Sequence, residues 1–304
     1  MTLPIAKYPS YLSPSSLKVF ERQPNTFYLQ RMAPDPIPYE PQSLPAAVGS
    51  AFDYYVKIDL VKKGVIEESI FRDRIFRDIW NPTQKDKLQD KSTAHAMWVT
   101  NVSEEHSDEA EKFGKFLFDK YRYNGYKPEI FEDIEIHRHY NLLPDPVVPL
   151  FGKLDATVRG PDGDVEPFDW KTSGYGSESG MSPKKGYSQA YRDGQPIGAH
   201  KDYSPDVPMH EINPEWAAQL CVYGWIMGKP IGVPFYGQIE GLFIRSHAIT
   251  VAKYRAEITQ EFQIQLAARF RMAWLSIKTG SFLRQLNPIR DFVELAAAQE
   301  EWWM

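Results

Sequence analysis

The chain has 304 residues, of which 42% are hydrophobic and 25% are charged, and its formal net charge at pH 7 is -5. This length suits one large α/β domain with additions or two small domains, and the hydrophobic content is sufficient for a buried core. The negative charge argues against a general nucleic-acid coat protein, because binding along phosphates usually leaves a basic surface. It is compatible with an enzyme whose acidic residues surround a metal ion.

Cysteine content and apolar runs restrict the class further. The single cysteine, Cys221, excludes an intrachain disulfide framework and any four-cysteine zinc site or iron-sulfur cluster. The start of the chain, from Met1 to Lys7, lacks the apolar core of a signal peptide, and no apolar run approaches the length that spans a membrane. We therefore expect a cytoplasmic protein that does not associate with membranes.

The N-terminal part is predicted to be helical. Ser13 followed by Pro14 is typical of a helix start, and the apolar pattern of residues 17–32 predicts one helix, or two that are broken at Pro24. The prolines of residues 33–46 predict an extended connection. The aromatic residues of this part either frame an active site or simply form core.

Three more helices and one strand are predicted before the middle of the chain. Helical patterns cover residues 48–63, 71–78 and 103–122. Residues 129–139 place isoleucines among charged residues, which predicts a strand. This strand precedes the stretch that carries the clearest signal for chemistry.

That stretch is a predicted β-hairpin. Residues 160–164 read Gly-Pro-Asp-Gly-Asp, which is dense in turn-forming residues, and β-favouring runs at 151–159 and 165–173 flank them. We place the turn near Pro161 to Gly163. Two strands are therefore expected to run antiparallel on either side of it.

The hairpin carries acidic residues and a lysine in a distinctive arrangement. Because strand side chains alternate between two faces, Asp169 and Lys171 share one face. Antiparallel pairing can set Asp155 beside Asp169, although the sequence does not define the register. The alternative is an ordinary exposed ion pair on a strand, which accounts for most isolated acid-x-Lys triplets.

Converging carboxylates suggest a metal site. Oxygen ligands suit Mg²⁺ and Mn²⁺, and Mg²⁺ keeps waters that are available as nucleophiles. Lys171 would then orient or deprotonate such a water, or neutralise charge on a phosphate.

Residues 173–212 are predicted to form a long loop without regular structure. Its tyrosines alternate with basic residues, a composition that suits stacking on unpaired bases and holding phosphates. A lid or strand guide and a plain insertion remain open alternatives. The candidate DNA-binding residues are Lys184, Lys185, Tyr187 and Arg192.

The remaining elements are a capped helix, two strands and two further helices. Asn213 and Pro214 start a helix that closes at Gly228 and places Gln219 and Tyr223 on one face. Strands are predicted at 237–245 and 249–258, and helices at 260–279 and 288–303. The last helix either packs back on the protein or contacts a partner.

Several of these segments resemble motifs of one known superfamily. Residues 152–155 (Gly-Lys-Leu-Asp), 168–172 (Phe-Asp-Trp-Lys-Thr) and 219–223 (Gln-Leu-Cys-Val-Tyr) resemble those of the PD-(D/E)xK nucleases, in the RecB-like exonuclease and Cas4-like branch. Residues 12–17 and 27–29 add to the resemblance, which covers the region from 11 to 285.

The resemblance implies an α/β fold with a three-layer, restriction-endonuclease-like core, in which helices flank a mixed central β-sheet. It implies a single nuclease domain over residues 1–304. Within it we expect an N-terminal helical part (11–125), a catalytic core (129–285) that includes the loop 173–212, and a C-terminal helix (288–303).

The resemblance also implies the site. Asp155, Asp169 and the Trp170 carbonyl would bind Mg²⁺ or Mn²⁺, and Lys171, Gln219 and Tyr223 would complete the catalytic group.

Two features of this chain depart from the family pattern, and the position of a third family feature is left open. Asp53 stands where relatives have a metal-binding histidine, and it is either a ligand or an ordinary helix-surface aspartate. Relatives also carry a strand glutamate, for which Glu132 and Glu135 are open alternatives. The iron-sulfur cluster of many relatives is excluded, because Cys221 is the single cysteine.

The expected function is therefore a Mg²⁺- or Mn²⁺-dependent deoxyribonuclease, a RecB-like exonuclease that acts on DNA ends or single strands in repair or recombination. One alternative is an endonuclease on the same fold. The other is a catalytically silent DNA-binding or assembly protein. A protein partner or a homo-oligomer is compatible with either.

Overall fold

The computed structural model describes residues 5, 7–39, 42–78, 104–172, 187–197, 206–207, 212–245 and 248–284. The chain divides into two compact units. One comprises Met1–Glu40, His139–Phe151 and Glu261–Met304, and the other comprises Pro41–Arg138 and Gly152–Gln260. The expectation that residues 1–304 fold as one nuclease domain stays a prediction.

The described part of the chain is an α/β protein built on a mixed open sheet. Its strands are β1 (Phe131–Leu142), β2 (Val148–Arg159), β3 (Val165–Thr172), β4 (Tyr187–Arg192), β5 (Gln195–Ile197), β6 (Asp206–Val207), β7 (Phe235–Arg245) and β8 (Ala248–Ile258). Seven of them follow the order β1-β2-β3-β7-β8-β4-β5, and β6 pairs with β8 beside this path. The β3–β7 and β6–β8 pairs are parallel, and the β2–β3, β7–β8, β4–β8 and β4–β5 pairs are antiparallel.

The described helices begin close to where the sequence predicts them. They are α1 (Pro14–Arg22), α2 (Pro24–Arg31), α3 (Leu44–Lys62), α4 (Glu68–Asp78), α5 (Glu104–Tyr123), α6 (Pro214–Ile226) and α7 (Gln260–Thr279), with 3₁₀ turns at Pro128–Ile130 and Ser281–Arg284. The Ser13 hydroxyl caps α1, and the Asn213 side chain accepts a hydrogen bond from the Glu215 N–H at the start of α6. Helix α3 begins four residues earlier than predicted, because a proline is tolerated in the first turn of a helix.

Helices lie on both faces of the sheet in the larger unit. Strand β7 shows this, because Gly237 lies against the Leu220 side chain of α6, whereas Glu240 accepts a hydrogen bond from the Tyr121 hydroxyl of α5. Residues 237 and 240 are three apart on one strand, so their side-chain positions are on opposite faces. Helix α6 therefore covers one face and α5 the other.

Glycines allow α6 to lie close to the sheet. A Cβ at Gly224 would lie 2.1 Å from the Phe235 ring, and one at Gly237 would lie 3.1 Å from Leu220. A Cβ at Gly152 would lie 2.9 Å from Ile226. Distances this short force a neighbour to move, so the close approach of the helix depends on these positions having no side chain.

The face that carries α3 and α5 holds the largest apolar cluster of this unit. Phe168 and Trp170 of β3 pack there together with Phe52 of α3 and Leu117 of α5. This arrangement confirms the predicted alternation of β3, since Phe168 and Trp170 are directed into the core while Asp169 and Lys171 are on the other face.

The predicted hairpin is confirmed by β2 and β3. Their antiparallel pairing runs from Arg159 opposite Val165 to Ala156 opposite Phe168. Gly163 in the turn has a φ of 85°, a conformation that favours glycine.

The prediction of a structureless loop over 173–212 is wrong for two of its segments. Residues 187–197 form a hairpin of β4 and β5, and β6 pairs with β8. The turn of this hairpin is Asp193-Gly194, whose φ angles of 49° and 81° are typical of a type I′ turn. The rest of this loop, including Lys184 and Lys185, lies outside the described residues.

The smaller unit holds α1, α2 and most of α7. Leu12 and Leu150 form a parallel bridge, and Arg269 of α7 makes a two-pronged ion pair with Glu21 of α1 at 2.5 and 2.9 Å. The predicted apolar side of α7 is confirmed, since four of its five residues are buried and the fifth is half-buried: Leu266, Phe270, Trp274, Ile277 and Phe262.

Within the described residues, no helix has the length and apolar content needed to cross a membrane. The helix predicted at residues 288–303 lies outside the described residues.

Candidate functional site

The site is built on the β2–β3 hairpin. Pairing ends with Ala156 opposite Phe168, so Asp155 and Asp169 occupy the next positions on the two strands. The Trp170 N–H donates to Asp155 Oδ2 at 3.4 Å, and Lys171 forms a close ion pair with Asp169. The predicted neighbours Asp155, Asp169 and Lys171 are therefore brought together.

A cavity of about 700 Å³ opens beside this hairpin. It is lined by α3, β2, β3 and α6, and all the residues expected at the metal and catalytic site line it: Asp53, Asp155, Asp169, Trp170, Lys171, Gln219 and Tyr223. The i, i+4 spacing of Gln219 and Tyr223 is what places both on the cavity side of α6. Two elements distant in sequence thus complete the hairpin site.

The two glycines of the motifs have packing roles at this site. A Cβ at Gly152 would lie 3.4 Å from the Tyr223 ring, and one at Gly49 would lie 3.0 Å from the Thr172 hydroxyl. Both positions are spots where a helix approaches a strand closely. The absence of side chains there lets α3 and α6 close around the carboxylates.

Two of the four candidate DNA-binding residues are separated from this cavity. Tyr187 and Arg192 lie on β4, and β7 and β8 stand between β4 and β3 in the sheet. Arg192 is exposed and pairs with Gln195 next to the hairpin turn. The structure does not bring Arg192 to the carboxylates.

Lys57 is the site residue that the sequence reasoning missed. Its side chain is only 2% exposed, and its Nζ donates to Asp53 Oδ2 at 2.6 Å and to Asp155 Oδ1 at 3.3 Å. It also donates to Glu135 in a very short contact. The available signal was the Asp53-to-Lys57 spacing on a mostly apolar helix, but such i, i+4 pairs usually lie on helix surfaces.

The structure places Glu135 beside the site and Glu132 away from it. Glu132 lies on the surface, where it accepts a hydrogen bond from Arg159 at 2.6 Å. Glu135 is buried, contacts Lys57, and lies 2.5 Å from His137 Nε2 through its other oxygen. The imidazole of His137 thus helps to hold the Glu135 side chain in place.

Glu135 reaches the site because β1 is irregular there. Its φ is 53°, which is uncommon for a residue with a side chain, and Ile134, Glu135 and Ile136 are all buried in succession. Strict alternation would place 134 and 136 on one face and 135 on the other. Such a backbone conformation lowers the stability of the folded state, and conformations of this kind are often found at functional sites.

Burial and mutual repulsion perturb the carboxylates. Burial raises the pKa of Asp169 to about 7, and Asp155 adds to this although Lys171 opposes it. Burial also raises the pKa of Asp53 well above its usual range, against the effect of Lys57. The environment of both carboxyl groups therefore favours the protonated, uncharged form.

Lys57 and Glu135 respond in the opposite way. Burial alone would lower the pKa of Lys57, but Asp53, Glu135 and Asp155 outweigh burial and raise it. Burial alone would raise the pKa of Glu135, but Lys57 and His137 outweigh burial and lower it. Lys57 and Glu135 are therefore a charged pair at neutral pH.

The charge balance fits a divalent cation. Asp53, Glu135, Asp155 and Asp169 face Lys57 and Lys171, which leaves two negative charges in excess. Asp53 Oδ1 is buried and has no hydrogen-bond partner among the described residues. In the described part of the chain, no group of three or more His, Cys, Asp or Glu side chains is arranged to hold a metal ion. Two carboxylates, those of Asp155 and Asp169, are sufficient for Mg²⁺, which commonly uses one or two carboxylates and keeps several waters.

The roles of Glu135 and Glu132 can be separated by matched substitutions. Glu135→Gln is expected to lower the free energy of unfolding by about 1–3 kcal/mol at pH 7, because Lys57 loses a buried partner. Since the pKa of Glu135 is lowered in the folded state, its stabilising effect is present above its usual value and declines as the pH falls below it. Urea unfolding between pH 3.5 and 7 measures this.

The control is Glu132→Gln, for which a loss of no more than about 0.5 kcal/mol is expected because its ion pair is on the surface. Equal losses in the two variants would mean that Glu135 has no special electrostatic role.

Comparison with known proteins gives little information about this chain. No protein-family model matches it, and no curated protein matches it. One similar solved structure is described as "Crystal structure of SSO0001"; it is 13% identical, covers 75% of this chain and 84% of its own, and superposes with a TM-score of 0.28. A similarity at this level carries no argument about fold or function, so the geometry of the site itself is the basis for a functional conclusion.

Proposed function

We propose that this protein is a nuclease of the PD-(D/E)xK type, with a restriction-endonuclease-like three-layer core, that hydrolyses DNA phosphodiester bonds with Mg²⁺ or Mn²⁺. The observation that supports this most is the convergence of Asp155, Asp169 and Lys171 from adjacent strands on one cavity. The motif resemblance further favours a RecB-like exonuclease.

The acidic residues supply the ligands. Asp155 and Asp169 would hold the cation together with the Trp170 carbonyl, and the free oxygen of Asp53 is a further candidate. The bound cation supplies positive charge that stabilises the phosphate and makes a water more acidic. The pKa of Asp169, raised to about 7, means that a cation also relieves the repulsion among these carboxylates.

Lys171 acts on the reacting groups. Its ammonium is partly exposed at the cavity and is held by Asp169. From there it orients the attacking water and donates a hydrogen bond to a phosphate oxygen as negative charge develops. The water oxygen bonds to phosphorus and gives up a proton to the surrounding water, the bond from phosphorus to the sugar oxygen breaks, and that leaving oxygen takes up a proton from the surrounding water.

Gln219 and Tyr223 position the phosphate from the opposite wall. Burial raises the pKa of the Tyr223 phenol, with Asp169 and Asp155 adding to the effect, so the hydroxyl is neutral and able to donate. Gln219 is half-buried and offers an amide beside it. Both groups suit contacts with the DNA backbone, which carry no base preference.

The test is degradation of linear single-stranded and double-stranded DNA, with a closed circle as control, in Mg²⁺, Mn²⁺ or EDTA. We expect metal-dependent loss of the linear substrates only, and no loss with Lys171→Ala. Cutting of the circle would indicate an endonuclease. Undiminished cleavage by Lys171→Ala would exclude this site as the catalytic centre.

One observation favours a second candidate, a silent DNA-binding or assembly protein. The Lys57 ammonium occupies oxygens of Asp53 and Asp155 that a metal ion could otherwise use. Retention of DNA in a mobility-shift assay without cleavage in any metal would support this reading.

A further inference from the structure

We propose that the Lys57 ammonium permanently fills one of the cation positions of the site, so that the protein binds a single divalent ion. This inference rests on the proposed nuclease function, because it concerns the ions that the same carboxylates hold. It assigns a positioning role to a lysine that belongs to none of the three motifs.

The contacts of Lys57 Nζ resemble those of a bound cation. Carboxylate oxygens from three different elements surround it: Asp53 of α3, Glu135 of β1 and Asp155 of β2. Asp155 is shared, because its other oxygen accepts from the Trp170 N–H on the metal-binding strand. One oxygen of Asp155 thus faces the ammonium group, and the other faces β3, which carries Asp169.

The fold holds this lysine in place. Lys57 is one of the largest fully buried side chains of the described residues, and the helix around it packs through Phe52, Val56 and Leu60 into the apolar cluster. Its partner Glu135 is also held by His137, whose Nε2 lies 2.5 Å from the other oxygen of Glu135. Rotation of the Lys57 side chain would be costly, because the buried ammonium would lose its three carboxylate partners without gaining contact with water.

The charges allow one divalent ion and no more. Counted in their ionised forms, the four carboxylates and two ammonium groups leave an excess of two negative charges, which one Mg²⁺ or Mn²⁺ neutralises. A second ion would need the same oxygens of Asp53, Glu135 and Asp155 that Lys57 uses. Two-metal sites place their ions about 3.5–4 Å apart on shared carboxylates, and Lys57 takes the second of these places.

Asp53 is part of the same arrangement. One of its oxygens accepts from Lys57 at 2.6 Å, and the other is buried without a partner among the described residues. A neutral imidazole at this position would remove a negative charge that the buried ammonium needs. An aspartate at position 53 and a lysine one turn later therefore form a unit.

The experiment counts bound Mn²⁺ on the full-length protein by isothermal titration calorimetry, with electron paramagnetic resonance to detect coupled pairs of ions. Wild type is expected to bind one ion with an uncoupled spectrum. Lys57→Ala removes the ammonium and is expected to bind two ions with the spectrum of a coupled pair. The control is Lys63→Ala, at the residue directly after α3, whose side chain is 40% exposed and lies 3.7 Å from Asp59; this variant is expected to bind one ion.

If Lys57→Ala does not fold, Lys57→Met is the second variant, because it also removes the ammonium, fills more of the space of the lysine and keeps all four carboxylates, and two ions are again expected. Binding of two ions by wild type, or of one by a folded Lys57 variant, would overturn the inference while leaving the nuclease proposal intact. Wild type that binds no Mn²⁺ and cuts no DNA would overturn both.

Discussion

Asp169→Asn is expected to lose at least about a hundredfold to a thousandfold of the metal-dependent cleavage rate, yet to make the metal-free protein more stable than wild type. The loss of rate follows because a neutral amide replaces a carboxylate that would bind the cation. The gain in stability follows because burial and the nearby carboxylate of Asp155 both disfavour the charged form of Asp169 in the folded state.

The sign of the stability effect can be followed with pH. The pKa of Asp169 is raised from 3.8 to about 7, so the folded state holds the proton more tightly and stability is lost as the pH rises through this interval. In EDTA, the difference between Asp169→Asn and wild type should be near zero at pH 4 and reach about 1–3 kcal/mol above pH 7. Thermal unfolding across this range measures it. A variant that is less stable than wild type at pH 8 would contradict the expectation.

Lys57→Met is expected to cause the largest loss of stability, about 3–5 kcal/mol. Methionine preserves much of the side-chain length but leaves Asp53, Glu135 and Asp155 facing one another without their shared cation. Urea unfolding in EDTA at pH 7.5 measures the loss. Adding Glu135→Gln to Lys57→Met should recover part of it, because one of the repelling charges is then removed.

Lys253→Met is the matched control for this effect. Lys253 also pairs with a buried carboxylate, that of Glu240 at 3.5 Å, but it is 32% exposed and Tyr121 supports the same carboxylate. A smaller loss is expected because Glu240 keeps a donor. Equal losses in the two lysine variants would mean that the three carboxylates around Lys57 do not make it more important for stability than Lys253.

The parts of the site that could be predicted from the sequence are those fixed by local rules. Turn residues defined the β2–β3 hairpin, and the period-two alternation of β3 placed Asp169 and Lys171 together. Helix-capping residues located α1 and α6, and the i, i+4 rule placed Gln219 and Tyr223 on one face.

The parts that could not be predicted depend on contacts between distant segments. Lys57 looks like a surface helix residue until β1 and β2 bring Glu135 and Asp155 to it. Glu135 in turn was ambiguous because its orientation depends on an irregular φ that no residue pattern marks.

The β4–β5 hairpin is a different kind of omission. Its signal, Asp193-Gly194 between alternating residues, is local and was present in the sequence. It was overlooked because the strand partner of β4 is β8, some sixty residues further along the chain, so no neighbouring run indicated a sheet.

Because α6 lies so close to the sheet, small changes in its packing would change the width of the cavity. The gap between this helix and the sheet is determined by atoms that Gly152, Gly224 and Gly237 lack. A methyl group at Gly224 would lie 2.1 Å from the Phe235 ring, so the helix would have to shift and would move Gln219 and Tyr223 relative to the carboxylates. The width of the cavity is thus open to adjustment by packing alone, with every charged group left unchanged.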